Sequence, residues 1–159
     1  MSPVRVLLAG PNNYRWRAYH VTLDATGFTA RITSNGMECV AVLRAFRPNV
    51  LVLDPNIPWG GGDGVLAVRD EEPGLNQNLV MILTAGCEPS LLYRMSDYAI
   101  DDLVWQPISG IDLKRRLERL LELQQKFASQ PALVHIAEGC CTQPSGGANR
   151  SRSVCLIGP

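Results

Sequence analysis

Residues 49–54, Asn49-Val50-Leu51-Val52-Leu53-Asp54, hold four apolar side chains in a row between two polar ones. A strand with one wet face would alternate. An unbroken run is what a central parallel strand requires, because helices cover both of its sides. Two further runs follow: Leu79 to Leu83, ending at Thr84, and Leu103-Val104-Trp105, ending at Gln106-Pro107. One run precedes it, Val4 to Ala9, closed by the loop signal Gly10-Pro11. Phe28, Ala30 and Ile32 alternate instead with Thr29, Arg31 and Thr33, which predicts a strand at the sheet edge.

Helical patterns separate these runs. Trp16, Tyr19 and Leu23 recur at helical spacing across residues 14–26, and Gly27 supplies a stop. After the turn signal Asn35-Gly36, Cys39, Val42, Leu43 and Phe46 make one apolar stripe before Pro48. Ser109 and Asp112 resemble a capping box that opens a last helix, whose buried face is Leu113, Leu117, Leu120 and Leu121. Strands alternating with helices predict an α/β fold with a parallel sheet. Right-handed crossovers leave few topologies, and a doubly wound five-stranded sheet of order 2-1-3-4-5 suits a domain of this size.

The chain has 159 residues, and at roughly 100–200 residues per domain that predicts one domain, residues 1–127, with a C-terminal tail, residues 128–159. Gln130-Pro131 ends the last helix, and residues 142–153 are polar and Gly-rich without periodicity. The short apolar runs at 132–137 and 153–158 fit either a hairpin against the domain or an unstructured tail. Fifteen basic and fifteen acidic residues give a formal net charge of zero, the opposite of the basic footprint expected of a nucleic-acid binder. No apolar run suits a membrane helix, and no signal-peptide pattern opens the chain. Five irregularly spaced cysteines argue against a disulfide-stapled secreted domain and for a cytoplasmic setting. Cys140-Cys141, with His135 and Cys155, lacks the spacing of a zinc site, so no metal is expected there. Cys39 and Cys87 read as inert small hydrophobes.

In an open parallel sheet, ligands bind beyond the carboxyl ends of the strands near the switch in strand order. The residues expected there are Gly10-Pro11-Asn12-Asn13, Asp54, Thr84 and Gln106-Pro107. In this order and separation they resemble the receiver domain of bacterial two-component response regulators, over about residues 4–127. Asn49 to Asp54 is similar to that family's third strand with its phospho-accepting aspartate, which implies Asp54 as acceptor. Pro58 and Asp63-Gly64-Val65 match the proline and Asp-Gly that lead into the next helix. "VMILTA" at 80–85 resembles the fourth strand with its hydroxyl residue, which implies Thr84 as a phosphoryl contact. "DDLVWQP" at 101–107 resembles the segment that normally ends in Lys-Pro.

The departures bear on function. Gly10 and Pro11 stand where the family carries two Mg²⁺-holding acids. Gln106 replaces the lysine that pairs with the phosphoryl group, and Leu103 replaces an aromatic switch residue. Attack by a carboxylate on a phosphoryl group needs the developing charge neutralised, and Mg²⁺ is held by carboxylates together with phosphate oxygens. Each lost electrostatic stabiliser costs on the order of 10²–10³ in rate. The expectation is a degenerate, receiver-like, non-enzymatic module that needs no cofactor and acts through protein partners, a histidine kinase or a second copy. The alternative is a working receiver phosphorylated on Asp54, with Mg²⁺ as cofactor. Arg15 and Arg17 read either as substitute cations for Asp54 or as a solvated helix face. The run Gly60-Gly61-Gly62 matches no phosphate-loop pattern and is expected to be a flexible loop that swings Trp59. Trp59 and Trp105 are expected near one edge. Trp105, Arg115 and Arg119 are the partner-binding candidates, since the surface of the fifth strand and last helix often serves docking in the family.

Overall fold

The computed structural model describes residues 3–86 and 89–129. Its elements run β1 (Arg5–Ala9), α1 (Tyr14–Ala25), β2 (Thr29–Thr33), α2 (Gly36–Phe46), β3 (Val50–Leu53), α3 (Gly61–Glu71), α4 (Pro73–Asn76), β4 (Val80–Ala85), α5 (Pro89–Met95), β5 (Asp102–Trp105) and α6 (Gly110–Ala128). The five strands form one sheet of order β2-β1-β3-β4-β5, and every pairing is parallel. This is the doubly wound sheet expected from the sequence. Of the expected tail at 128–159, Ala128 ends α6 and Ser129 caps it, while residues 130–159, with His135, Cys140, Cys141 and Cys155, lie outside the described residues, as does Cys87.

Alternate residues of each strand serve two cores. Leu7, Leu51, Leu53, Met81 and Leu83 pack on the side of α2 and α3 with Cys39, Leu43, Val65 and Leu66. Val6, Leu8, Val50, Val52 and Ile82 pack on the other side with Trp16, Tyr19 and Leu23 of α1 and Leu113 and Leu117 of α6. Each such side chain contributes roughly 1.5–3 kcal/mol on burial. β2 has one partner and keeps Thr29 and Arg31 exposed, which explains its alternating pattern.

Local signals hold at most boundaries. The Asn13 side chain accepts from the backbone N–H groups of Arg15 and Trp16 and caps α1. Ser109 Oγ accepts from Asp112 N at 3.1 Å and caps α6. Two expectations need correction, and one element was not signalled. β4 continues one residue past Thr84 to Ala85, so Thr84 is the penultimate residue of the strand. The Gly60–Gly62 run is no swinging loop: Gly60 is the N-cap of α3, and Gly61 and Gly62 form its first turn. A Cβ at Gly62 would come within 2.6 Å of Pro55 Cα, so this close approach accounts for a glycine there. The third difference is α4, a single turn opened by Pro73 that the apolar patterns did not signal.

Candidate functional site

Strand register assembles the site. Ala9 pairs with Leu53, Leu53 with Leu83 and Ala85 with Trp105. Gly10, Asp54, Thr84 and Gln106 therefore stand together at the carboxyl ends of β1, β3, β4 and β5. Backbone bonds continue the ladder past the strand ends, from Asp54 N to Ala9 O at 2.7 Å and from Gln106 N to Ala85 O at 2.9 Å.

Asp54 is half-buried, and its Oδ1 accepts from Asn56 N at 2.9 Å. Burial pushes its carboxyl above the usual aspartate range. The Asn56 N–H pulls it back, and the Gln106 amide pulls the same way to a lesser degree. The well-formed bond of that amide is with another residue: Arg15 Nη1 donates to Gln106 Oε1 at 2.9 Å. Arg17 turns elsewhere, donating from Nε to Asn12 Oδ1 at 3.2 Å. Neither arginine forms an ion pair with Asp54. Arg15 acts on it at one remove, by fixing which end of the Gln106 amide faces the carboxyl.

Thr84 is 1% exposed, and its hydroxyl donates to Leu53 O at 3.3 Å across the strand pair. The side chain that the family resemblance implies as a phosphoryl contact is thus engaged by the backbone of β3. Leu103 is half-buried and lines a groove of about 430 Å³ with Leu83, Met95, Tyr98 and Ile100.

Gly10 carries the local architecture. A Cβ there would come within 2.6 Å of Trp16 Cδ2 and closer still to the next ring atoms. The Trp16 indole, wholly buried, lies against that backbone and meets Tyr19 edge-on with centroids 5.8 Å apart. A carboxylate at position 10 and an indole at position 16 are sterically incompatible. The sequence showed the missing acid; its packing partner was not identified because nothing in a linear pattern links residues 10 and 16. The remaining neighbours, Pro11, Asn12 and Asn13, are neutral. Among the described residues, no three His, Cys, Asp or Glu side chains are grouped to hold a metal ion.

Trp59 lies in the connection from β3 to α3 and sets its backbone carbonyl over Gly36 at the start of α2. Trp105 is the last residue of β5, an edge strand, and is 54% exposed. Arg115 pairs with Asp112 on its own helix at 3.3 Å. Arg119 lines a groove of about 480 Å³ with Asp101, Asp102, Leu120 and Leu123, beside the Arg116–Asp102 ion pair at 2.8 Å. No helix among the described residues is long and apolar enough to cross a membrane.

The all-parallel sheet of order β2-β1-β3-β4-β5, with a core on each face, defines a doubly wound, flavodoxin-like α/β domain. The sequence matches no family model. It is 24% identical over 127 residues to Protein RcaC of Microchaete diplosiphon, a match covering 80% of this chain and 20% of that protein. The chain thus spans about one-fifth of the curated relative it matches. Among solved structures, it is similar to a CheY-like response regulator receiver domain from Methanospirillum hungatei, with TM-score 0.70, 19% identity and coverage of 79% and 99% of the two chains. A receiver domain of a sensor histidine kinase from Pseudomonas aeruginosa, solved with magnesium coordinated in its active-site cleft, gives TM-score 0.69 at 15% identity, covering 76% of this chain and 99% of that one. The chemotaxis response regulator CheY4 of Vibrio cholerae gives 0.65 at 19% identity, covering 76% and 100%. At these identities the likeness establishes the CheY-like, flavodoxin-like fold.

Proposed function

We propose that this chain is a degenerate receiver module of a phosphorelay signalling system, acting by binding protein partners without Mg²⁺-dependent phosphorylation. One observation carries the reading: the Trp16 indole lies against Gly10, where the resemblance calls for a metal-holding acid. Asp54 with neutral asparagines is a poor donor set for Mg²⁺, which favours carboxylates and octahedral oxygen geometry. Gln106 brings no charge, and Arg15 is held on that amide's oxygen. This donor set does not fit Mg²⁺.

Binding then falls to surfaces. The β5–α6 face offers a groove where Arg115 and Arg119 stand with Asp101 and Asp102, and Trp105 is exposed at the carboxyl end of β5; exposed tryptophan and arginine are the residue types that anchor interfaces. A histidine kinase or a second copy of the chain is the partner class this supports. The competing reading, a receiver phosphorylated on Asp54, draws on the position of that half-buried carboxylate beside Thr84.

The test is intact-mass measurement after incubation with acetyl phosphate and Mg²⁺. The proposal expects no stable gain. A phosphoryl-sized gain in the wild type that disappears in Asp54→Asn establishes the competing reading instead.

A further inference from the structure

A face remote from β5 and α6 carries an independent observation. Met37 is 72% exposed and Trp59 74% exposed, on either side of a groove of about 430 Å³ between α2 and α3. Val40, Gly64 and Val68 also line that groove. Trp59 has φ 57°, a left-handed conformation that a bulky residue rarely adopts. Its carbonyl packs on Gly36, where a Cβ would collide with it. The large apolar ring is therefore held out in water by a backbone that the start of α2 fixes. Met37 and Trp59 thus leave apolar surface in solvent beside the groove, and contiguous exposed apolar surface is one mark of an interaction site.

The charges on α2 indicate what covers it. Met37, Val40, Ala41 and Arg44 fall at the spacing of one helical face, with exposed Glu38 beside Met37. Glu38 and Arg44 stand symmetrically about Ala41, separated by about 9 Å along the axis. A face with an acid at one end, a base at the other and apolar residues between is complementary to itself turned end for end. That is the symmetry an isologous dimer requires.

We infer that α2 is a self-association surface, taking the α2 of a second copy of this chain antiparallel across a two-fold axis beside Ala41. The arrangement places Glu38 of each copy opposite Arg44 of the other. Met37 and Trp59 of each then lie over the C-terminal half of the facing helix. Arg44 already bonds Glu72 in its own chain, with Nε to Oε1 at 3.1 Å, and the guanidinium has further donors for a second carboxylate. The contact does not use the β5–α6 face, so it neither needs nor excludes the partner surface proposed above.

Sedimentation of the full chain tests it, with Ala41→Glu and Met37→Glu as disrupting variants and Ala41→Cys as a symmetry probe. These side chains are exposed, so the changes leave the core intact. The expected result is a concentration-dependent dimer, weakened at least tenfold, or about 1.4 kcal/mol, by either glutamate. Ala41→Cys should give a 41–41 disulfide under mild oxidation, identified by peptide mass. Glu38→Gln, which keeps an acceptor for Ser34 N, should weaken the dimer, and Arg44→Gln should weaken it too. A wild type that stays monomeric at every concentration overturns the inference. So does a dimer that survives Ala41→Glu and is lost in Leu123→Glu, which would place the contact on α6.

Discussion

Arg15 Nη1 donates to Gln106 Oε1 at 2.9 Å, joining residues 91 positions apart across the mouth of the site. The bond fixes the Gln106 amide with its oxygen toward α1. Arg15 follows the α1 cap Asn13, and Gln106 follows the last residue of β5. The pair therefore ties the first helix to the far edge strand of the sheet.

Gln106→Lys removes the acceptor and sets a second cation against Arg15. The expected outcome is a loss of roughly 1 kcal/mol in urea unfolding, the scale of one hydrogen bond with like-charge repulsion added. No phosphoryl gain with acetyl phosphate should accompany it, because a lysine cannot replace the missing acids. A Gln106→Lys protein that gains phosphate would show the cation alone to be limiting.

Gly10→Ala brings a Cβ into the Trp16 ring. Overpacking of this kind costs about 1–3 kcal/mol, so the unfolding midpoint should fall although the added group is one methyl. Gly10→Asp should fall further, since it also sets a charge against the indole. An unchanged midpoint in Gly10→Ala would mean that Trp16 moves freely out of this position.

Asp54 gives a pH signature. Burial raises its carboxyl in the folded state, so the folded protein binds that proton more tightly than the unfolded chain does. The stabilising contribution of the protonated form is full below the unfolded value of about 3.9. It is lost as the pH climbs through the higher folded value. Above that, ionised Asp54 costs stability, and Asp54→Asn removes the cost. The variant should melt above the wild type at pH 7, with the gap closing toward roughly pH 3. Thermal melts across that range check the sign, and a variant less stable at neutral pH would contradict it.

Arg69 and Arg44 offer a contrast between buried and exposed guanidinium groups. Arg69 is 1% exposed, with Nη1 donating to Ala99 O at 2.9 Å and Nε to Asp70 Oδ1 at 2.7 Å. Its Nη2 lies 2.6 Å from the same carboxylate oxygen but too poorly aligned for a hydrogen bond. Arg69→Ala empties that space and leaves Ala99 O without its donor, and should cost about 3 kcal/mol. Arg44→Ala breaks an exposed pair with Glu72 and should leave the midpoint of dilute protein unmoved. Equal losses in the two variants would be the contrary result.

The strand sequence was legible because burial on both faces writes itself into consecutive residues, as in Val50 to Leu53. The position of Asp54 was legible too, since a polar residue directly after such a run must stand at a strand end. The end of β4 was less so: Thr84 looked terminal because it is polar, yet its hydroxyl is bonded to Leu53 O inside the sheet. The Gly60–Gly62 run looked like a flexible loop, but one of its glycines is a close contact with Pro55 within a helix turn. A glycine in sequence does not say whether it serves motion or close packing.

Local chemistry along the chain thus determined the α/β alternation and the residues at the strand ends and narrowed the strand order to a few choices, because periodicity and right-handed crossovers act without long-range detail. Which of those residues touch was decided only by the tertiary structure. Arg15 on Gln106, Trp16 over Gly10 and Trp59 set against Gly36 are contacts between side chains or backbones whose approach depends on how the helices pack on the sheet. The physical reason is that strand and helix patterns repeat over a few residues, whereas packing at a site joins groups brought together from different elements.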